Sequence, residues 1–201
     1  MVRVQPLRSI SFDTSFLASN DPLVDTVIRM IARDRLPCFI TATVASELEQ
    51  LKIWGRISEA TYKKALQRWA RTHATTIDFK NRLLSDTFGQ ACISSMEKHH
   101  GVQAKDIVND CSILITTLKH GVDVFLSEDF HFTSRITQDV IHEITSAVCA
   151  EYHQMCGAQL YSVTAKTFVD AYRQGSIDVD YIETHLLNIR KKGKVFKGNE
   201  E

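Results

Sequence analysis

The sequence predicts an α/β fold, a parallel β-sheet covered by helices. Short β-branched and aromatic runs alternate with longer amphipathic stretches. The composition of its 201 residues, 44% hydrophobic and 24% charged with eight Gly and three Pro, is that of one folded globular unit, which excludes disordered, collagenous and repeat chains. The chain is long enough to bury a core without covalent staples.

The elements follow in order. Ser9–Phe12 is an apolar run that ends at Asp13, and Leu23, Val24, Val27, Ile28 and Ile31 then repeat at helical spacing from Asp21 to Arg33, where Pro37 prevents continuation. Cys38–Thr41 reads as a second strand. Thr43 opens a helix through Leu51, with Val44, Leu48 and Leu51 on one side, and a longer helix spans about Ser58–Arg71. Thr75–Phe79 is the third strand. Helices follow at Ser85–His99, where His99 and His100 suit the negative end of the dipole, and at Gln103–His120, closed by Gly121. Val122–Ser127 is the fourth strand. A helix at about Thr137–Met155 precedes a fifth strand at Gln159–Val163, helices at Lys166–Gln174 and Val179–Arg190 follow, and the tail after Arg190 reads as frayed.

Charge is balanced overall, 24 Lys plus Arg against 24 Asp plus Glu, which excludes a global polyanion-binding field. It is nevertheless segregated. Residues 50–82 carry eight basic and two acidic side chains, and residues 102–188 carry five basic and twelve acidic ones. A metal site beside a phosphate track requires such a split, although a solvated helix face explains the basic segment equally well. No apolar run approaches the roughly 20 residues of a membrane span, and MVRVQPLRSI lacks the apolar region of a secretory signal. A soluble cytoplasmic protein is therefore expected, with no membrane partner. Its five scattered cysteines form no C-x-x-C and are expected to be reduced, buried thiols.

In parallel α/β sheets the functional crevice lies beyond the carboxyl ends of the strands. Acids occupy that region here: Asp13 after the first strand, Glu47 in the helix after the second, Asp106 and Asp110 one turn apart before the fourth, and Asp129 after it. Clustered carboxylates are costly without a cation. Oxygen ligands with no His or Cys at these strand ends suit Mg²⁺ or Mn²⁺, and the implied chemistry is metal-assisted hydrolysis of a phosphodiester. Taken singly, Asp13 or Asp129 would pass for a turn or cap residue and Glu47 for a solvated one; Asp110, heading the apolar run Cys-Ser-Ile-Leu-Ile, is more telling.

Four blocks, Ser-Ile-Ser-Phe-Asp13-Thr14-Ser15-Phe-Leu, Thr-Ala-Thr-Val-Ala-Ser-Glu47-Leu, the Asn109-Asp110 helix ending Leu-Lys-His-Gly, and Val-Phe-Leu-Ser127-Glu-Asp129-Phe-His-Phe, occur in this order. Together they resemble the PIN-domain family of metal-dependent ribonucleases over about residues 8–132. The resemblance implies a Rossmann-like central parallel sheet of about five strands flanked by helices. It also implies an endoribonuclease that cuts single-stranded or structured RNA with Mg²⁺ or Mn²⁺. By position, Asp13, Glu47, Asp110 and Asp129 would be the catalytic, metal-binding quartet, with Asp106 in reserve and Glu49 a weaker substitute for Glu47. Ser15 and Ser127 would give polar support. Lys52, Arg56, Lys63, Lys64, Arg68 and Arg71 would hold RNA phosphates.

A single PIN-like domain is expected over residues 1–201, with its core at about 8–175, helical insertions at about 53–72 and 137–157, and a basic tail at 190–201. These insertions distinguish the chain from compact toxin members and favour RNA processing or regulation. A non-catalytic PIN-like module that binds RNA or protein is the alternative, and a DNA-directed nuclease of the same chemistry stays open. So do a homodimer and an inhibitory protein partner. His142, Cys149, His153 and Cys156 form a stripe on the helix near 137–155, too extended along one helix to surround a zinc ion and better suited to packing or dimer contact. No G-x-x-x-x-G-K-[ST] and no glycine-rich dinucleotide turn is present.

Overall fold

The structure, a computed structural model, describes residues 3–152 and 157–186. The chain runs β1 (Val4–Pro6), β2 (Ile10–Phe12), α1 (Thr14–Ala18), α2 (Pro22–Asp34), β3 (Cys38–Thr41), α3 (Ala42–Ile53), α4 (Glu59–Thr72), β4 (Thr75–Ile77), α5 (Arg82–His100), α6 (Ala104–Lys119), β5 (Val124–Leu126), α7 (Phe130–Thr133), α8 (Arg135–Tyr152), β6 (Tyr161–Val163), α9 (Ala165–Ala171), β7 (Tyr172–Arg173) and β8 (Ser176–Asp178). Residues 179–186 are helical. The predicted tail at 190–201, together with His153 and Cys156 of the histidine–cysteine stripe, lies outside the described residues.

Five strands form one all-parallel sheet in the order β4-β3-β2-β5-β6, which is the expected α/β architecture with helices on its faces. The central strand β2 aligns Ile10 with Cys38 on one side and with Val124 on the other. From β2 the chain winds outward through β3 and β4, then returns to β5 and β6 on the opposite side. The strand order therefore reverses beside β2, where α/β sheets open a crevice. The two stretches expected as insertions serve as connections in this winding. Helix α4 lies between β3 and β4 and α8 between β5 and β6, as parallel neighbours need a crossover. Val140, Ile141, Ile144 and Val148 bury one stripe of α8 in the core.

Helix ends follow their capping chemistry. Asp21, Thr41, Ser58 and Asn81 accept backbone N–H groups at the starts of α2, α3, α4 and α5. Gly101 closes α5 in the left-handed region just after His99 and His100.

The structure departs from the sequence reading at its periphery. A second, antiparallel sheet, β1-β8-β7, was not expected. The helix predicted to run on to Gln174 stops at Ala171, because Gln174 and Gly175 both take positive φ (43° and 84°) and turn the chain into the β7–β8 hairpin. The cysteines also differ from expectation. Cys92 of α5 and Cys111 of α6 are joined by a disulfide with Cα atoms 5.6 Å apart, and Cys149 is disulfide-bonded as well. Cys38 alone among the described residues is a free, buried thiol, and burial pushes its pKa up to about 12.

Arg68, expected to touch RNA, is 3% exposed and structural instead. Its Nε donates to Asp25 Oδ1 (2.8 Å), and its Nη1 donates to the carbonyls of Leu17 and Ser19 (both 2.7 Å), so it ties α4 to α2 and to the end of α1. The guanidinium in turn holds the Asp25 carboxyl below its usual range. Arg68→Ala is expected to cost about 3 kcal/mol in urea denaturation, because two carbonyls and a carboxylate lose their donor together. A cost below about 1 kcal/mol would show that the tie is dispensable.

Candidate active site

Four acids from four elements meet at the switch point: Asp13 and Asp129 just after β2 and β5, and Glu47 and Asp110 from within α3 and α6. The buried strand β2 stops at Asp13, which caps α1 and is itself only 3% exposed. Three donors converge on its Oδ2: Ser15 Oγ (2.5 Å), Ser127 Oγ (2.9 Å) and the Ser15 amide (3.2 Å). Burial nevertheless outweighs them and raises the Asp13 pKa to about 6. Ser127, at the end of β5, also accepts the Asp129 amide (3.0 Å), and Asp129 caps α7 by accepting from the His131 amide (2.8 Å). The supporting parts expected of Ser15 and Ser127 therefore have a geometric basis.

Glu47 comes from α3 and is held at both oxygens. Thr14 Oγ1 donates to Oε2 (2.6 Å) and Asn109 Nδ2 donates to Oε1 (3.1 Å). Neither Thr14 nor Asn109 was singled out in the sequence, although each adjoins one of the acids. Asp110 projects from α6 and has the least support. Burial and then the charges of Asp13, Asp129 and Glu47 raise its pKa to about 7, and no donor group offsets them. Asp110 thus feels the other three acids across a single site.

A cleft of about 450 Å³ is lined by all four acids, together with Thr14, Ser15 and Asn109 and with Trp54, Arg56 and Ile57 from the loop after α3. Asp106, the reserve acid, is exposed one turn earlier on α6 and does not line the cleft. Glu49 faces a different recess, between α3 and α4. Among the described residues no group of three His, Cys, Asp or Glu side chains closes around a point where a metal ion would sit. The donor set still fits a hard cation. It is all oxygen, it is pre-oriented at Asp13 and Glu47, and at Asp110 it carries a half-buried carboxylate with no donor to balance it.

The six basic residues expected to hold RNA are dispersed. Arg56 alone among them lines the acidic cleft. Lys52 and Lys63 pair with Glu59 (3.2 and 3.6 Å), Lys64 pairs with Asp25 (3.4 Å), and Arg68 is buried. Arg71 lies in a recess at the amino-terminal ends of β3 and β4, the opposite side of the sheet from the acids.

The raised acids make the metal-free protein pH-sensitive in a defined direction. Their folded values of about 6 and about 7 exceed the ordinary 3.8, so between about pH 4 and pH 7 the folded state binds protons that the unfolded chain has released. Their contribution to stability is complete below pH 4 and is lost as the pH rises through 6 and 7. In EDTA, Asp110→Asn is therefore expected to lose less stability than wild type between pH 5 and pH 8. Parallel pH profiles for the two proteins would remove Asp110 from the coupled group.

Comparison with protein-family models, curated proteins and solved structures finds no match to this chain.

Proposed function

We propose that the protein is a metal-dependent endoribonuclease of the PIN kind, acting on RNA phosphodiesters. The observation that carries this reading is the convergence of Asp13, Glu47, Asp110 and Asp129, from four elements, on one cleft at the reversal of the strand order. Such mutual repulsion would be selected against in a merely structural cleft, and a divalent cation relieves it. Asp13, Glu47, Asp110 and Asp129 would hold Mg²⁺ or Mn²⁺, directly or through water. Bound there, the ion would supply an activated water and neutralise charge on the leaving oxygen.

The chain's own residues account for the rest. Ser15 and Ser127 fix Asp13 in one rotamer, Thr14 and Asn109 fix Glu47, and Arg56, which also lines the cleft, offers a cation to a phosphate. The two stretches expected as insertions are crossovers that a five-stranded parallel sheet requires, so they do not separate a processing or regulatory role from that of a compact toxin.

The alternative, a non-catalytic module that binds RNA or protein, draws on the absence of a closed three-ligand group among the described residues. A homodimer and an inhibitory partner belong to either reading. No helix among the described residues is long and apolar enough to cross a membrane. The cytoplasmic setting is expected from the lack of an apolar span and of a signal region, and the Cys92–Cys111 disulfide speaks against a reducing compartment.

The test is cleavage of a mixed-sequence single-stranded RNA by purified protein in Mn²⁺, in Mg²⁺ and in EDTA. Cutting confined to the metal-containing reactions is the expected result. RNA bound but uncut by folded protein in either metal favours the module.

A further inference from the structure

The geometry points to a base-stacking platform at Trp54 that restricts the substrate to RNA unpaired at the cleft; this inference rests on the nuclease reading of the same site and names its substrate class. Trp54 follows directly on α3, where its amide donates to the Gln50 carbonyl (2.9 Å), so the backbone beneath the indole is anchored. The ring itself is 61% exposed, and Ile53 beside it is 77% exposed. An exposed indole on an anchored turn is unusual, since an aromatic ring of this size is normally among the most buried side chains.

Its position separates it from an ordinary exposed apolar residue. Trp54 lines the same cleft as the four carboxylates, and the Arg56 guanidinium lies over its ring, 5.2 Å from the centroid. A planar apolar surface, a cation for the phosphate and a cluster of acids thus share a single cleft. Neutral apolar partners would find the acids and the arginine costly to cover, whereas an unstacked nucleotide matches each in turn. Its base takes the indole, its phosphate takes Arg56, and the adjacent phosphate reaches the acids. Stacking on aromatic faces tolerates every base, so the platform selects strand state and not sequence. In a duplex the base is already stacked and paired, and its face is closed to Trp54.

Binding is measured by fluorescence anisotropy with a labelled, unstructured 12-mer RNA and with the same strand in duplex form. Ca²⁺ replaces Mg²⁺, and EDTA is run in parallel. Wild type is expected to bind the single strand at least about 10-fold more tightly than the duplex. Trp54→Ala should weaken single-strand binding by about 5- to 150-fold, the range for losing one base–aromatic stack, while Trp54→Phe stays within about 3-fold of wild type. Arg56→Ala should flatten the salt dependence of binding by about one charge, a change that Trp54→Ala does not make. Single-strand binding by Trp54→Ala within 2-fold of wild type overturns the inference and assigns the patch to a protein partner. Equal affinity for single strand and duplex, or no RNA binding by wild type, overturns it too. Trp54-dependent binding by a wild type that cuts nothing in Mn²⁺ keeps the platform and rejects the nuclease; cutting that is unaffected by Trp54→Ala does the reverse.

Discussion

Asp13→Asn is expected to lower metal-dependent RNA cleavage by at least about 10³-fold, a loss of roughly 4 kcal/mol in transition-state stabilisation. The size follows from position. Asp13 ends the central strand, and three hydrogen bonds already converge on its Oδ2, so no neighbouring carboxylate can take its place. The change is also clean. Asn caps helices as well as Asp does, so α1 keeps its N-terminus, and removing a buried charge whose pKa stands at about 6 relieves desolvation. The metal-free variant should therefore be at least as stable as wild type at pH 8, as a urea titration would show. Cleavage within 10-fold of wild type, in a protein of unchanged stability, would take Asp13 out of the catalytic machinery.

Phe125→Ala is expected to cost about 4 kcal/mol in stability and to weaken Mn²⁺ binding as well. Phe125 is fully buried in β5, and its ring meets Phe132 of α7 edge-on at 5.1 Å between centroids. Asp129 caps that same short helix, so the cavity would undercut both the sheet and the seat of one acid. In a domain of this size the melting temperature should fall by about 8–16 °C. Phe125→Leu, which keeps most of the volume, should lose less than about 1.5 kcal/mol and retain metal affinity, as calorimetry with Mn²⁺ would report. A truncation that lowered stability but left metal binding intact would show that Asp129 is positioned independently of the core beneath it.

Much of this architecture is legible in the residues because it depends on local periodicity. The helix α2 shows in Val24, Val27, Ile28 and Ile31, and β3 in the run Cys38–Thr41, whose bounds agree with the expectation. Both follow from a hydrophobic period that one face of an element must satisfy. The β7–β8 hairpin escaped because its turn is Gln-Gly, where Asn-Gly would have announced positive φ at both positions. Helix α1 is five residues long, too short to show a period, and β1 is a three-residue edge strand ending in Pro6.

The chain by itself determined the alternation of strands and helices and the acids near the strand ends, since strand ends are marked where apolar runs meet a charged residue; the order β4-β3-β2-β5-β6 was decided only by tertiary pairing. Nor could the chain alone determine which cations accompany those acids. Eight basic residues between 50 and 82 form one block in sequence, yet folding turns Arg68 into the core against Asp25, gives Lys52 and Lys63 to Glu59, sends Arg71 to the far end of the strands and leaves Arg56 at the cleft beside Trp54. Helical periodicity tells which residues share a face. Only tertiary packing decides what that face meets, and so which charges are neutralised within the protein and which remain to meet a substrate.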